Sequence, residues 1–279
     1  MKYSIVPRLL SMLAVWAALL AWQLTAADIG VAGSVLFAAL ITLPLAMSGL
    51  EAAFYRRHAF RNEYMSGPSW LSRVIGSKPL IFGIEIAKAL PLALLLLIAT
   101  LSLQPREWAL LIGGVLVLAF LMPRLPGLLQ GAVKGTYLYA LSRRLAIWVS
   151  TALLWLESML MLVLVGNDDF RGLSWLDAVN YSMTPTAGTD DASLVSLMLR
   201  IDAGVDGLGH WASYRLLHGE PDLPQTVTAL LVLGAVMGLW FLLAWAYSRA
   251  LVGATARPLA IWRPRPRRGA DTAPEHWGH

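Results

Sequence analysis

Residues Leu80 to Leu103 read LIFGIEIAKALPLALLLLIATLSL, and within them only Glu85 and Lys88 carry charge. A hydrocarbon core roughly 30 Å thick is crossed by about 20 apolar residues in a helix. This stretch therefore predicts a transmembrane helix. Five others of the same kind lie around it: about Leu9 to Leu24, Ile29 to Leu50, Trp108 to Met122, Leu145 to Val165 and Thr226 to Tyr247. The run from Trp108 to Met122 is the short one. The reading is an all-α integral membrane protein, a six-helix transmembrane bundle. Residues 1–256 form the polytopic domain, with one long outer loop, 166–225, carrying short interfacial helices. Residues 257–279 form a basic tail expected to be disordered.

Composition agrees. Of 279 residues, 57% are hydrophobic and 14% charged, against roughly 45–50% and 25% in soluble domains. So much apolar surface excludes a disordered chain. Cysteine is absent, which excludes disulfides, zinc–thiolate sites and thiol catalysis.

The positions of the charges predict orientation. Segments 1–8, 51–79, 123–144 and 249–279 fall on one side of the spans and hold 17 of the 22 Lys and Arg residues. Segments 25–28, 104–107 and 166–225 fall on the other side and hold 4. Basic residues accumulate on the cytoplasmic side, so both termini are expected there and 166–225 outside. Lys2 and Arg8 before an apolar run, with Thr25-Ala26-Ala27 after it, also fit a secretory signal. The length of the run and its Trp16 and Trp22 favour a retained helix. Arginine-, alanine- and leucine-rich usage suggests a bacterial inner membrane.

Residues 125–142 are fairly apolar, but a seventh span there would reverse the charge bias. They are expected to form a cytoplasmic interfacial helix, introduced by Pro123 and Pro126. Lipid headgroups are the expected partners of Arg56, Arg57, Arg143 and Arg144, and of Arg263, Arg265, Arg267 and Arg268 in the tail. Nucleic acid is not an expected partner. Trp22, Trp108, Trp148 and Trp245 lie near span ends, where interfacial tryptophan is common. Gly234-Ala-Val-Met-Gly238 has the GxxxG spacing of close helix contacts.

Charge inside a span costs about 2.5–3.5 kcal/mol on insertion scales, so Glu85, Lys88 and Glu157 need a reason. Glu85 and Lys88 are three apart on one helix and able to pair. Glu157 has no cation in its own helix. Three readings stay open: a proton or ion pathway, an interhelical cluster of all three that locks the third and fifth spans, and a partner-facing Glu157.

In the outer segment, Ser193 to Ile201 and Trp211 to His218 read as short helices. Asp202, Asp206 and His210 are spaced by four, which on a helix would put them on one face. Gly204, Gly207 and Gly209 are expected to break that helix, leaving a solvated acidic loop and no metal site. Upstream, Trp175-Leu-Asp-Ala-Val-Asn-Tyr-Ser182 followed by Thr186-Ala-Gly-Thr-Asp-Asp191 resembles the pore helix and selectivity filter of potassium channels. The resemblance implies an ion pore between the fifth and sixth spans. It covers about 17 residues. Thr186, Gly188 and Asp191 match, whereas Thr189 and Asp190 replace the filter tyrosine and second glycine, where carbonyl geometry matters most.

The chain has no H-E-x-x-H, no G-x-S-x-G and no phosphate-binding Gly-Lys-Ser/Thr. No enzyme activity and no cofactor are expected. Two functions are carried forward. The first is a non-enzymatic accessory or structural subunit of an inner-membrane complex, associating with other membrane chains or itself. The second is a secondary transporter or ion-conducting protein that uses its intramembrane Glu and Lys residues.

Overall fold

The computed structural model describes residues 5–64, 77–132, 135–165, 170, 172–184, 194–218 and 223–256. All its elements are helices: α1 (Ile5–Thr25), α2 (Gly30–Tyr64), α3 (Lys78–Thr100), α4 (Pro105–Leu129), α5 (Gly135–Val165), α6 (Trp175–Met183), α7 (Leu194–His218) and α8 (Leu223–Ala254). Six of them, α1 to α5 and α8, are long and apolar enough to cross a membrane. Short turns at 26–29 and 101–104 reverse the chain between α1 and α2 and between α3 and α4. The face where α1 begins and α8 ends is called lower below, and the opposite face upper.

Helix α8 is the hub, packing on α1, α2, α3, α4, α5 and α7. Its lower half is the buried half, with Ala244, Ala246, Ser248, Ala250 and Gly253 among the enclosed residues. Small side chains let helix backbones approach closely in a bilayer, where packing rather than water exclusion drives association. Around α8, α2 pairs with α3 and α4 with α5. The main core includes Met12, Leu19, Trp22, Leu45, Leu97, Leu118 and Leu251. Leu36, Leu116 and Leu231 lie on the outside of the bundle.

Two expectations are corrected. First, α4 runs unbroken through Pro123 and Pro126, so this span has 25 residues and is not short. No separate helix covers 125–142; those residues end α4 and begin α5. A proline removes one helix hydrogen bond and crowds the preceding turn, but both prolines lie in the last two turns, where little helix remains to disrupt. Arg124 Nη1 also donates to Phe120 O at 3.1 Å, with its guanidinium 3.4 Å from the Phe120 ring centroid.

Second, α7 is one helix of 25 residues through all three glycines. Glycine costs about 1 kcal/mol in a helix interior, and here the absent side chains admit α6. A Cβ on Gly207 would collide with Ser182 and lie 3.1 Å from the Ala178 carbonyl. One on Gly204 would strike Met183. By contrast, a Cβ on Gly234 or Gly238 would meet nothing within 4 Å among the described residues, so neither glycine of the GxxxG marks a close helix approach there.

Candidate functional site

The upper ends of the helices are tied together by side chains that satisfy backbone groups. Trp22 Nε1 donates to Leu97 O at 2.9 Å. Gln23 Nε2 donates to Leu101 O and Leu103 O at 3.2 and 2.8 Å. Its Oε1 accepts from Trp108 Nε1 at 2.7 Å. The α3–α4 turn is thereby held against α1. Trp22 and Trp108 are therefore buried core residues, not interfacial anchors, because the protein supplies the acceptor that a buried indole N–H requires. Trp148 remains exposed.

Helices α6 and α7 cap this end. Ser174 and Asp177 cap α6 reciprocally: Asp177 N donates to Ser174 Oγ at 3.2 Å, and Ser174 Oγ donates to Asp177 Oδ2 at 2.6 Å. Trp211 Nε1 of α7 donates to Leu173 O at 3.0 Å. Arg215 of α7 bonds Gln225 at the start of α8. On the opposite side, Ser102 in the α3–α4 turn donates to Asp202.

Beneath α7 lies a cavity of about 450 Å³ between α3, α4, α5 and α8. Its lining includes Glu107 of α4, Glu157 of α5, and Asp202, Asp206 and His210 of α7. Arg106, Trp240 and Tyr247 also line it. Glu107 is held by its helix start, where Gln104 N donates to its Oε2 at 2.6 Å. Tyr247 lies toward the cavity floor, and its hydroxyl donates to Leu111 O at 3.0 Å. A second cavity, of about 500 Å³, lies against the α6 side of α7, and Asp206 and His210 line it too. There His210 stacks parallel to Phe170, with ring centroids 6.5 Å apart.

The unbroken α7 gives the four-residue spacing its meaning. Asp202, Asp206 and His210 share a face, and the face points inward. Burial pushes the Asp202 carboxyl up to about 6; the Ser102 hydrogen bond opposes this and Glu107 adds to it. Burial pushes Asp206 up to about 7, with Asp202 and Glu107 raising it further. Four carboxylates and one guanidinium around one cavity favour an incoming proton or cation. Among the described residues, no group of three or more His, Cys, Asp or Glu is arranged to hold a metal ion.

The three charges within the candidate spans are divided. Glu85 is buried near the lower end of α3 and accepts from Lys88 Nζ at 3.1 Å. Lys88 reaches the surface. Glu157 lies in the upper cavity, about 20 Å from them in depth at 1.5 Å of rise per residue. Glu85 instead faces Arg249 of α8 across Gly49, whose missing side chain makes room for both charged ends.

Of the residues expected at headgroups, Arg56 and Arg144 are exposed and Arg57 is half-buried. Arg143 Nη2 donates to Val252 O at 2.9 Å and Thr255 Oγ1 at 3.1 Å, so it also closes the C-terminus of α8. Arg263, Arg265, Arg267 and Arg268 lie outside the described residues, as do Thr186 to Asp191 of the filter-like stretch. The pore-helix-like segment is α6, which packs on α7 in the cap. Glu107, Trp240 and Tyr247 carried no sequence signal. Asp202, Asp206 and His210 carried one, set aside because of the glycines.

Comparison with family models, with curated proteins and with solved structures gave no match.

Proposed function

We propose that the protein is a membrane transporter that takes a small cationic solute or protons into the acidic cavity under α7. The observation that carries this reading is the cavity itself, where Glu107, Glu157, Asp202 and Asp206 converge. Bringing four carboxylates into one partly enclosed space opposes folding unless something positive enters. Trp240 and Tyr247 on the same wall suit an ammonium group, which binds aromatic faces as well as carboxylates. An accessory subunit needs no such space, so the second of the two expected functions has the stronger support. With the basic lower face cytoplasmic, the cavity belongs to the outer half of a bacterial inner membrane. The cap then stands between it and the outside.

The test is flux into liposomes holding the purified chain, using protons and a series of small alkylammonium ions. A hydrogen bond to a charged group contributes about 1.5–3 kcal/mol, so Glu157→Gln should reduce flux by roughly tenfold to a hundredfold. The variant should elute from a sizing column as the parent does. Undiminished flux would overturn the assignment of Glu157. A stoichiometric partner chain retained in mild detergent, with no flux of any probe, would favour a complex subunit instead.

A further inference from the structure

Below the cavity the bundle is shut by polar contacts that the transport site does not use. Arg249 Nε donates to Ser48 Oγ at 2.9 Å and Nη2 to Leu45 O at 3.3 Å. Its guanidinium lies 4.7 Å from the Trp245 ring centroid. The Glu85 carboxylate and the Arg249 guanidinium converge where a side chain on Gly49 would be. One turn further along α8, Gly253 rests directly on the Pro44 carbonyl of α2. Helices α2, α3 and α8 are thus joined by one small charged node and one backbone crossing.

We infer that this node, Glu85 with Arg249 beneath the Tyr247 end of the cavity, is the cytoplasmic gate of the transporter. The inference rests on the transport reading for its purpose, but its geometry is independent of the acidic cavity. Three features support it. A buried contact between opposite charges is seldom the most stable way to fill the space between helices, since apolar residues of similar volume often do better. It is, however, a contact that can be exchanged for water when helices part. The node also shares α8 with Tyr247, two residues away, so an occupant touching Tyr247 acts on the helix that carries Arg249. Finally, the node sits at a boundary in the packing. Met47, Leu50, Ala53 and Ile81 form a cluster separate from the main core, to which Leu45, Ala46, Ala250 and Leu251 belong, so opening at the node disturbs only the lower edge of that core.

The chain has no cysteine, so single cysteines report access directly. Ala46→Cys marks a fully buried position one turn above the node. Ala99→Cys marks the cavity wall. Each is labelled with a membrane-impermeant maleimide, in inside-out and right-side-out vesicles respectively. The closed node should protect position 46. A minor conformer holds roughly 0.1–10% of a two-state population, so making it the major one with Glu85→Gln should speed labelling at 46 about tenfold or more. Labelling at 99 should fall in parallel. A rise at both positions means general loosening and overturns the gate, as does unchanged labelling at 46. Should Glu85→Gln not assemble, Glu85→Asp keeps the charge on a shorter arm and should give a smaller shift of the same sign. Flux is measured beside labelling. Reciprocal labelling without any flux keeps the moving node and removes the transport reading; flux with unchanged labelling removes the gate alone.

Discussion

Asp206 illustrates how much a single residue depends on its surroundings. In sequence it is one acid in a loop with several. In the fold it is buried beside Asp202 and Glu107, and its carboxyl is pushed up to about 7 from the usual 3.8. Asp202 is pushed up to about 6. Between pH 4 and 7 the folded protein retains protons that the unfolded chain has released. The stabilisation this gives is complete below about pH 4 and is lost as pH rises through 6 and 7. The detergent-solubilised protein should therefore show a higher Tm at pH 5 than at pH 8. Asp206→Asn should flatten that dependence and raise Tm at pH 8. A Tm difference the same in the variant as in the parent would place the titrating group elsewhere. The tryptophans make a similar point. Trp22 and Trp148 both lie near span ends in the sequence, yet one is sealed in the core and the other exposed. What separates them is an acceptor, Leu97 O, supplied by another helix.

Among the elements, α7 departs most from its sequence reading. Three glycines so close together ordinarily argue against a helix. Here they serve as the groove that receives α6, and α6–α7 contact compensates for their low propensity. Gly207→Val should therefore detach α6, at about 1–3 kcal/mol for an overpacked contact, because the Ala178 carbonyl 3.1 Å from the new Cβ is backbone and cannot turn aside. Hydrogen exchange should speed up across α6 and the upper half of α7. Gly234→Val, built into open space on α8, should stay within roughly 0.5 kcal/mol of the parent. Equal effects at the two positions would mean that α6 is not held through Gly207. Helix α4 shows the converse, since Pro123 and Pro126 are tolerated near a helix end where breakers were expected to start a new element.

For the whole molecule, the even number of candidate spans and the basic bias make an orientation prediction independent of function. A single cysteine in the tail beyond residue 257 should label only from the cytoplasmic side. One replacing Ser213, on α7, should label only from outside. Both labelling from one side would mean a different number of crossings. The six helices long and apolar enough to cross a membrane could be read from the sequence because that criterion applies to each segment separately: about 20 apolar residues suffice whatever their neighbours are. The charge bias is equally local, being a count over short loops. Which charges meet depends on how the helices are arranged, and this the linear pattern does not contain. Glu85 and Glu157 each sit inside a span, but the lengths of α3 and α5 place one low and the other high. Arg249 counted only toward the basic end of α8 until the packing of α2 against α8 brought it to Glu85. Asp202, Asp206 and His210 became one inward face only when α6 filled the glycine groove and kept α7 helical. Insertion energies set the spans one at a time; the acidic cavity and the charged node arise from side-chain volumes and hydrogen-bond partners on different helices, and only the tertiary structure brings those together.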